Sequence, residues 1–244
     1  MVVIPAHNEV RRLPRCLKSI LTAAACVPVP VSVVVVLDSC DDGSTRLDGQ
    51  FGSDVHFIEV DVRSVGAARA AGFQHARKIC ATTGSDDSGI WYATTDADTR
   101  VDPDWLIRQL ASGADMVLGI VRIANWRQFP GRVIQRYLRA YDAKTDPDGG
   151  HRHIHGANMG FTAQSYWSVG GFADLSSEED VDLVHRFEAA GHRVHRDAGL
   201  SVATSARQVG RAPNGFAAHL RKVSGKRRNG PHEEGQQSGE AVIV

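Results

Sequence analysis

"VSVVVVLDSCDDGS" (Val31–Ser44) decides how this chain is read. From Val33 to Leu37 it is unbroken apolar sequence, mostly β-branched, and at Asp38 it turns polar and acidic. A strand with one wet face alternates apolar and polar residues, whereas a strand covered on both faces does not need to. The segment therefore predicts a buried strand sandwiched between helices, leaving the sheet through "DSCDDGS" (38–44). Pro28 and Pro30 stand just before it. Proline breaks a helix interior, so the apolar run from Ile20 to Leu37 reads as helix end, turn and strand and not as a membrane span.

Working outward, the same grammar repeats. "VVIPA" (2–6), "VHFIEV" (55–60), "GIWYATTD" (89–96) and "DMVLGIV" (115–121) are strand-like. Between them lie helix patterns: "EVRRLPRCLKSILTAA" (9–24), starting near Pro14 with Leu13, Leu17, Ile20 and Leu21 on one face; "VGAARAAGFQHARKIC" (65–80); and "DPDWLIRQLAS" (102–112). Alternating strands and helices predict an α/β fold with a mostly parallel sheet flanked by helices, and ligands bind such sheets beyond the carboxyl ends of the strands. Past Arg122 the pattern loosens. It holds a helix, "FPGRVIQRYLRAYDA" (129–143), then a Gly/His-rich loop running into a strand, "TDPDGGHRHIHGANMGF" (145–161). A helix, "SSEEDVDLVHRFEAAG" (176–191), short strands and the helix "GFAAHLRKV" (215–223) follow. The polar, glycine-rich tail 224–244 is expected to be disordered.

Composition excludes several classes of function. The 244 residues suffice for an ordinary core. Lys and Arg total 28, as do Asp and Glu, so no global field attracts nucleic acid or an anionic membrane. Cys16, Cys26, Cys40 and Cys80 are scattered without a CxxC pair, which argues against a zinc ribbon or a dense disulfide framework and fits a reducing cytoplasm. No charged-then-apolar signal segment opens the chain.

Three strand exits carry polar residues: "PAHNE" (5–9), "DSCDDGS" (38–44) and "DAD" (96–98). Within "TDADTRVDPDWL" (95–106), Asp102 and Asp104 around Pro103 suit a helix start, by N-capping and by favouring the helix dipole. Asp96 and Asp98 leave a strand where nothing needs a cap. Two hard oxygen donors there would suit Mg²⁺ or Mn²⁺, whose shell phosphates and water complete, although aspartates are also ordinary loop residues.

Taken in order, "VVIPAHNE" (2–9), "DSCDDGS", "GAARAAG" (66–72), "TDADTRVDPDWL", "GANMGF" (156–161), "GGF" (170–172) and "EEDVDLVHRFEAAGHRV" (178–194) make the chain resemble the family 2 glycosyltransferases, inverting enzymes of the GT-A fold, over roughly residues 2 to 197. The resemblance implies sugar transfer from a nucleotide diphosphate donor, with Asp98 binding Mg²⁺ or Mn²⁺ and Asp96 near the ribose or the metal. It implies nucleotide contacts for Pro5, Ala6 and Glu9, a base-reading carboxylate in Asp38, and a nucleotide-side cation in Arg69, whose plainer alternative is a solvated helix arginine. The Glu179–Asp180 pair matches the family's base, with Asp180 taking the acceptor proton and Asp182 and Glu178 as fallbacks. Local sequence alone favours a capping box from Ser177 to Asp180. Asn158 is a candidate for donor or acceptor contact. His151, His153 and His155 are candidates for a metal cluster, an acceptor wall or a solvated loop, and Trp126 and Trp167 for ligand stacking or packing.

The sequence departs from the family pattern in one ligand. Where many members carry a later metal-binding histidine, "LSVATSARQVGR" (200–211) has Thr204 and Ser205, and His219 is the next histidine, on a predicted helix. The first strand has almost no lead-in after Met1, which leaves room for a start a few residues upstream. The expectation is therefore one GT-A domain with a nucleotide-sugar half (1–121), an acceptor and base half (122–223) and a tail (224–244). It acts as a hexosyltransferase on a UDP-linked donor and a hydroxyl acceptor, a small molecule before a lipid or polysaccharide. No nucleic acid and no transmembrane segment is expected, and the location is cytoplasmic, with peripheral attachment to the inner membrane face second. The alternatives are a sugar-1-phosphate nucleotidyltransferase, whose glycine-rich Arg loop is missing from "PAHNEVRRLP", and a non-catalytic nucleotide-sugar-binding or scaffolding protein.

Overall fold

The valine run forms β2 (Val33–Asp38), buried along its whole length. Alternation along the strand sends Val33, Val35 and Leu37 into one apolar core and Val34 and Val36 into another, which is why the run needs no polar face. The computed structural model describes residues 1–205 apart from Thr83, Ser85, Gln128 and Ser176. The predicted helix 215–223, His219 and the tail 224–244 lie outside the described residues.

Six more strands complete the sheet: β1 (Val2–Ala6), β3 (Val55–Val60), β4 (Trp91–Thr94), β5 (Met116–Ile123), β6 (Met159–Thr162) and β7 (Val194–Thr204). Their order is β3-β2-β1-β4-β6-β5-β7. Pairing is parallel except where β6 lies antiparallel between β4 and β5. β6 belongs to the later half of the chain yet sits inside the sheet of the earlier half, so both halves share one sheet. The exits of β1, β2, β3, β4, β5 and β7 consequently share one edge, and β6 starts there, with Met159 opposite Thr94.

The core beside Val33, Val35 and Leu37 takes its helical side chains from α1 (Leu13–Ala24) and α3 (Trp105–Ala111). The opposite core takes them from α2 (Val65–Thr82), the short α5 (Ala163–Ser168) and α6 (Glu179–Ala189). There Phe73 meets Tyr92, Phe161 and Tyr166 at ring-centroid distances of 4.9, 5.3 and 4.9 Å. A satellite cluster beyond β5 joins Ile123, Trp126, Phe129, Tyr137 and Tyr141, the last two on α4 (Gly131–Asp142).

Three expectations change. The short strands after α6 are one strand, β7, whose pairing with β5 skips residues at an irregularity between Gly119 and Ile120. Helix α5 was not expected, being too short to show a period. Asp102 and Asp104 stand where α3 begins, but Asp104 makes no side-chain cap, and the Asp102 carboxylate instead accepts from Arg122 Nη2 at 2.6 Å. An arginine from β5, twenty residues on, outcompetes a local backbone amide for that carboxylate.

Candidate active site

At the exits of β1 and β2, two loops are lashed together. Val10 N–H donates to Asp42 Oδ2 at 2.8 Å, and Asp41 N–H donates to the side-chain oxygen of Asn8 at 2.9 Å. Asn8 has φ 54°, a conformation asparagine tolerates better than most side chains. Pro5 is half-buried, while Ala6 and Glu9 are buried. Asp38 is only 6% exposed. Its Oδ1 accepts from the Val62 and Arg63 amides, each at 2.9 Å, and from Ser39 Oγ at 3.0 Å; Oδ2 accepts from the Ser64 amide at 3.2 Å. The carboxylate expected to read a base therefore also braces the 62–64 loop. Beside it opens a cavity of about 390 Å³ lined by Leu37, Ser39, Cys40, Glu59, Val60 and Asp61. No local motif announces it, since it forms only where β2 and β3 exit together.

The exit of β4 holds Asp96 and Asp98. Asp98 Oδ1 accepts from Thr204 Oγ1 at 3.4 Å and Oδ2 from Ser205 Oγ. The end of β7, where a histidine was looked for, thus does reach Asp98, with hydroxyls. Asp96 Oδ1 accepts from Arg69 Nη2 at 2.8 Å. The protein packed around Asp96 pushes its carboxyl up to about 6, with Asp98, Glu179 and Asp180 adding to the rise and Arg69 opposing it.

Arg69, in α2, is 2% exposed. The alternative of a solvated arginine is overturned: the side chain is packed beneath the site and its guanidinium is engaged by carboxylates. Its second guanidinium nitrogen donates to Glu179 Oε1, and the ring of Phe172 lies 5.5 Å away. Burial alone would lower the guanidinium, but Asp96, Glu179 and Asp180 outweigh it and raise it. Glu179, 6% exposed, opens α6 as the other half of this ion pair.

Asp180 follows on the first turn of α6. Ser177 does not cap this helix. The residue before it, Glu178, has φ 62° and makes no side-chain cap. Instead Asp180 Oδ2 accepts from the Gly156 amide at 2.7 Å and Oδ1 from the Val181 amide at 2.9 Å. Gly156 is the contact that reading the sequence missed; it stands in "GANMGF" and reaches Asp180 through its backbone alone.

The remaining candidates are structural in their contacts. Asn158 is fully buried. Its Nδ2 donates to the Ile120 and Leu200 carbonyls, both at 2.9 Å, while its oxygen accepts from Trp105 Nε1 at 2.9 Å. It stitches β5 to β7 at their irregularity and contacts no open site. His151 and His153 are buried too, and His155 is half-buried, so these side chains are not solvated, although residues 146–149 and Arg152 beside them are exposed. His153 stacks on Tyr141 with centroids 3.8 Å apart, and the Tyr141 hydroxyl lies 3.1 Å from His155 Nε2. Among the described residues no group of three or more His, Cys, Asp or Glu is placed to hold a metal. Trp126 packs on Phe129 and Tyr137, and Trp167 on Tyr166 and under Arg77.

The sequence model of a family described as glycosyl transferase family 2 matches residues 1–170, more than half of the chain. The chain belongs to this family. The match covers Asp38, Arg69, Asp96, Asp98 and Gly156 and ends ahead of α6. The architecture is the GT-A glycosyltransferase fold. S. aureus TarS 1-349 in complex with UDP-GlcNAc superposes with a TM-score of 0.61 at 14% identity, over 91% of this chain and 64% of that one. Mannosyltransferase PcManGT from Pyrobaculum calidifontis, in complex with GDP-Man and Mn²⁺, superposes at 0.60 with 21% identity, over 86% of this chain and 57% of that one. The chain thus spans less than two thirds of either. No curated protein matches the sequence significantly. No described helix is long and apolar enough to cross a membrane.

Proposed function

We propose that this family member is an inverting hexosyltransferase that moves a sugar from a nucleotide diphosphate donor, UDP-linked, to a hydroxyl acceptor, with Asp180 as general base. The observation that carries this reading is that Asp180, the Arg69–Asp96–Glu179 cluster and Asp98 gather at the one sheet edge where six strands exit. Inversion is a single in-line displacement and needs one base for the acceptor hydroxyl. The Gly156 and Val181 amides hold the two Asp180 oxygens, so the carboxylate is already oriented before an acceptor arrives. The relatives' complexes with UDP-GlcNAc and GDP-Man support a nucleotide-sugar donor.

On the donor side, Pro5, Ala6, Glu9 and Asp38 shape the floor under the nucleotide, and the cavity beside Leu37 and Asp61 receives its base. Asp96, with its side chain 40% exposed above Arg69, faces the ribose. The donor set at Asp98 is a carboxylate with the Thr204 and Ser205 hydroxyls nearby. All are hard oxygens, the type that Mg²⁺ and Mn²⁺ take, so these residues fit such a cation. Bound there, it would supply positive charge to the leaving diphosphate. Residues 1–121 form the donor half and 122–223 the acceptor half of one domain. That the four cysteines form no disulfide supports a cytoplasmic setting, and the acceptor in this reading is a small soluble molecule.

Asp180→Asn tests the assignment. Transfer should fall by about 10²–10⁴-fold, with nucleotide affinity and melting temperature retained; near-normal transfer would refute the base. Donor turnover that needs Mn²⁺ and stops with EDTA separates this reading from a binding protein. Pyrophosphate release from a nucleoside triphosphate would point to a nucleotidyltransferase instead.

A further inference from the structure

We propose that Arg69 is a positioning residue: from beneath the site, without touching the donor, it ties Asp96 at the β4 exit to the base-bearing turn Glu179–Asp180 at the start of α6. The inference rests on Asp180 being the base.

The geometry encloses the guanidinium on several sides. Nη2 is spent on Asp96 and Nη1 on Glu179. Phe172 lies at 5.5 Å. Gly156 closes the top so tightly that a Cβ on it would lie 2.6 Å from Nη1 and 2.7 Å from Nη2. Any side chain there would have to push the guanidinium aside, and that same residue lends its amide to Asp180. Below, Gly66 of the same helix lets α6 close in, since a Cβ there would lie 3.0 Å from Glu179 Cβ and 2.4 Å from the Ala173 carbonyl oxygen. Arg69, Gly156 and Asp180 therefore form three successive layers, and displacing the first displaces the others.

An arginine is needed because its planar fork can serve two carboxylates at once. Lysine keeps the charge but concentrates it on one nitrogen at the end of a flexible stem. Asp180 also interacts electrostatically with Arg69 and Asp96, and Glu179 is its chain neighbour, so these are the charges to watch when Arg69 is altered.

The test uses the full chain with Arg69→Lys, Arg69→Gln, Gly156→Ala and the Arg69→Lys/Gly156→Ala pair, each first checked by thermal melting. With a nucleotide-sugar donor, Arg69→Lys and Gly156→Ala should each lower kcat by about 10–100-fold, as expected for a base displaced by about 1 Å, while donor KM changes by less than about threefold. The pair should be no worse than the poorer single variant, because both act on Asp180 through the same stack. The second readout needs no ligand or activity. The Gly156 amide shift at one fixed pH reports its hydrogen bond to Asp180, and it should move in Arg69→Lys and further in Arg69→Gln, as the support beneath Gly156 is displaced. Donor KM rising about tenfold with kcat intact would make Arg69 a donor contact and overturn the proposal. So would an amide shift unchanged in both variants or, should Arg69→Gln not fold, additive losses in the pair. If the wild-type chain transfers no sugar, the proposed function fails, while the amide shift still decides whether Arg69 holds the Gly156–Asp180 contact in place.

Discussion

Asp38 and Asp98 flank β1 on the same sheet edge, yet their carboxylates are held in different ways. Asp38 is buried and takes three backbone amides. Asp98 is half-buried and takes the hydroxyls of Thr204 and Ser205. A backbone amide cannot turn away without unravelling its loop, whereas a hydroxyl rotates at little cost. The first carboxylate is fixed as a brace. The second can exchange partners, as the cation-binding role proposed for it requires. Spacing alone does not tell these two aspartates apart; the identity of their donors does.

The comparison breaks most visibly at Asp98. Asp98→Asn should cut Mn²⁺-dependent transfer by about 10³-fold, roughly 4 kcal/mol of transition-state stabilisation, with a melting temperature close to wild type in the absence of metal. Kinetics and calorimetry on the same preparation check both halves. A variant that melts many degrees lower but still transfers would show Asp98 to be the brace.

Asp38→Ala should behave the other way round. It leaves the Val62, Arg63 and Ser64 amides without their acceptor, at a cost of about 3 kcal/mol given about 1–3 kcal/mol per abandoned buried donor and partial rescue by water. Urea unfolding should show the loss, with kcat changed far less than in Asp98→Asn. Stability intact with donor affinity gone would return Asp38 to a purely base-reading role.

Much of the scaffold was legible because it is local. "VHFIEV" is β3 to the residue, and the valine run is β2, since two-sided burial leaves its mark on every position. The acidic exits were legible for the same reason, each being contiguous with its strand. What was not legible depends on partners far away in the chain. Arg69 sits among alanines in a helix with little amphipathic character, which reads as a nucleotide-side cation or a solvated arginine; its ion pairs with Glu179, 110 residues on, and Asp96 are not visible there. Asn158 looked like a ligand contact because its carbonyl partners on β5 and β7 are 38 and 42 residues away. Asp102 looked like a cap because Arg122 is not a neighbour in sequence.

The smallest expected effect extends the rule from carboxylates to imidazoles. His151 Nε2 lies 3.0 Å from the Leu118 carbonyl and His153 Nε2 lies 3.1 Å from the Tyr141 carbonyl, while His151 Nδ1 accepts the His153 amide. Both rings face backbone groups, as Asp38 does, and both are neutral in this arrangement. Burial pushes His153 down to about 4 and lowers His151 as well. An unfolded histidine titrates near 6.5, so between about 6.5 and 4 the unfolded chain binds protons that the folded chain refuses. Stability from these rings is complete above that window and falls as pH drops through it, by about 2 kcal/mol for His153. Asp96 works against this trend, because a carboxyl raised to about 6 favours the folded chain as pH falls. The quantity to measure is therefore the difference in urea stability between wild type and His153→Phe at pH 7 and pH 4.5. Phenylalanine keeps the stack on Tyr141 and cannot be protonated, so it should lose less stability on acidification than wild type. Equal losses in both chains would put the histidine segment back among solvated loops and confine the donor rule to the aspartates.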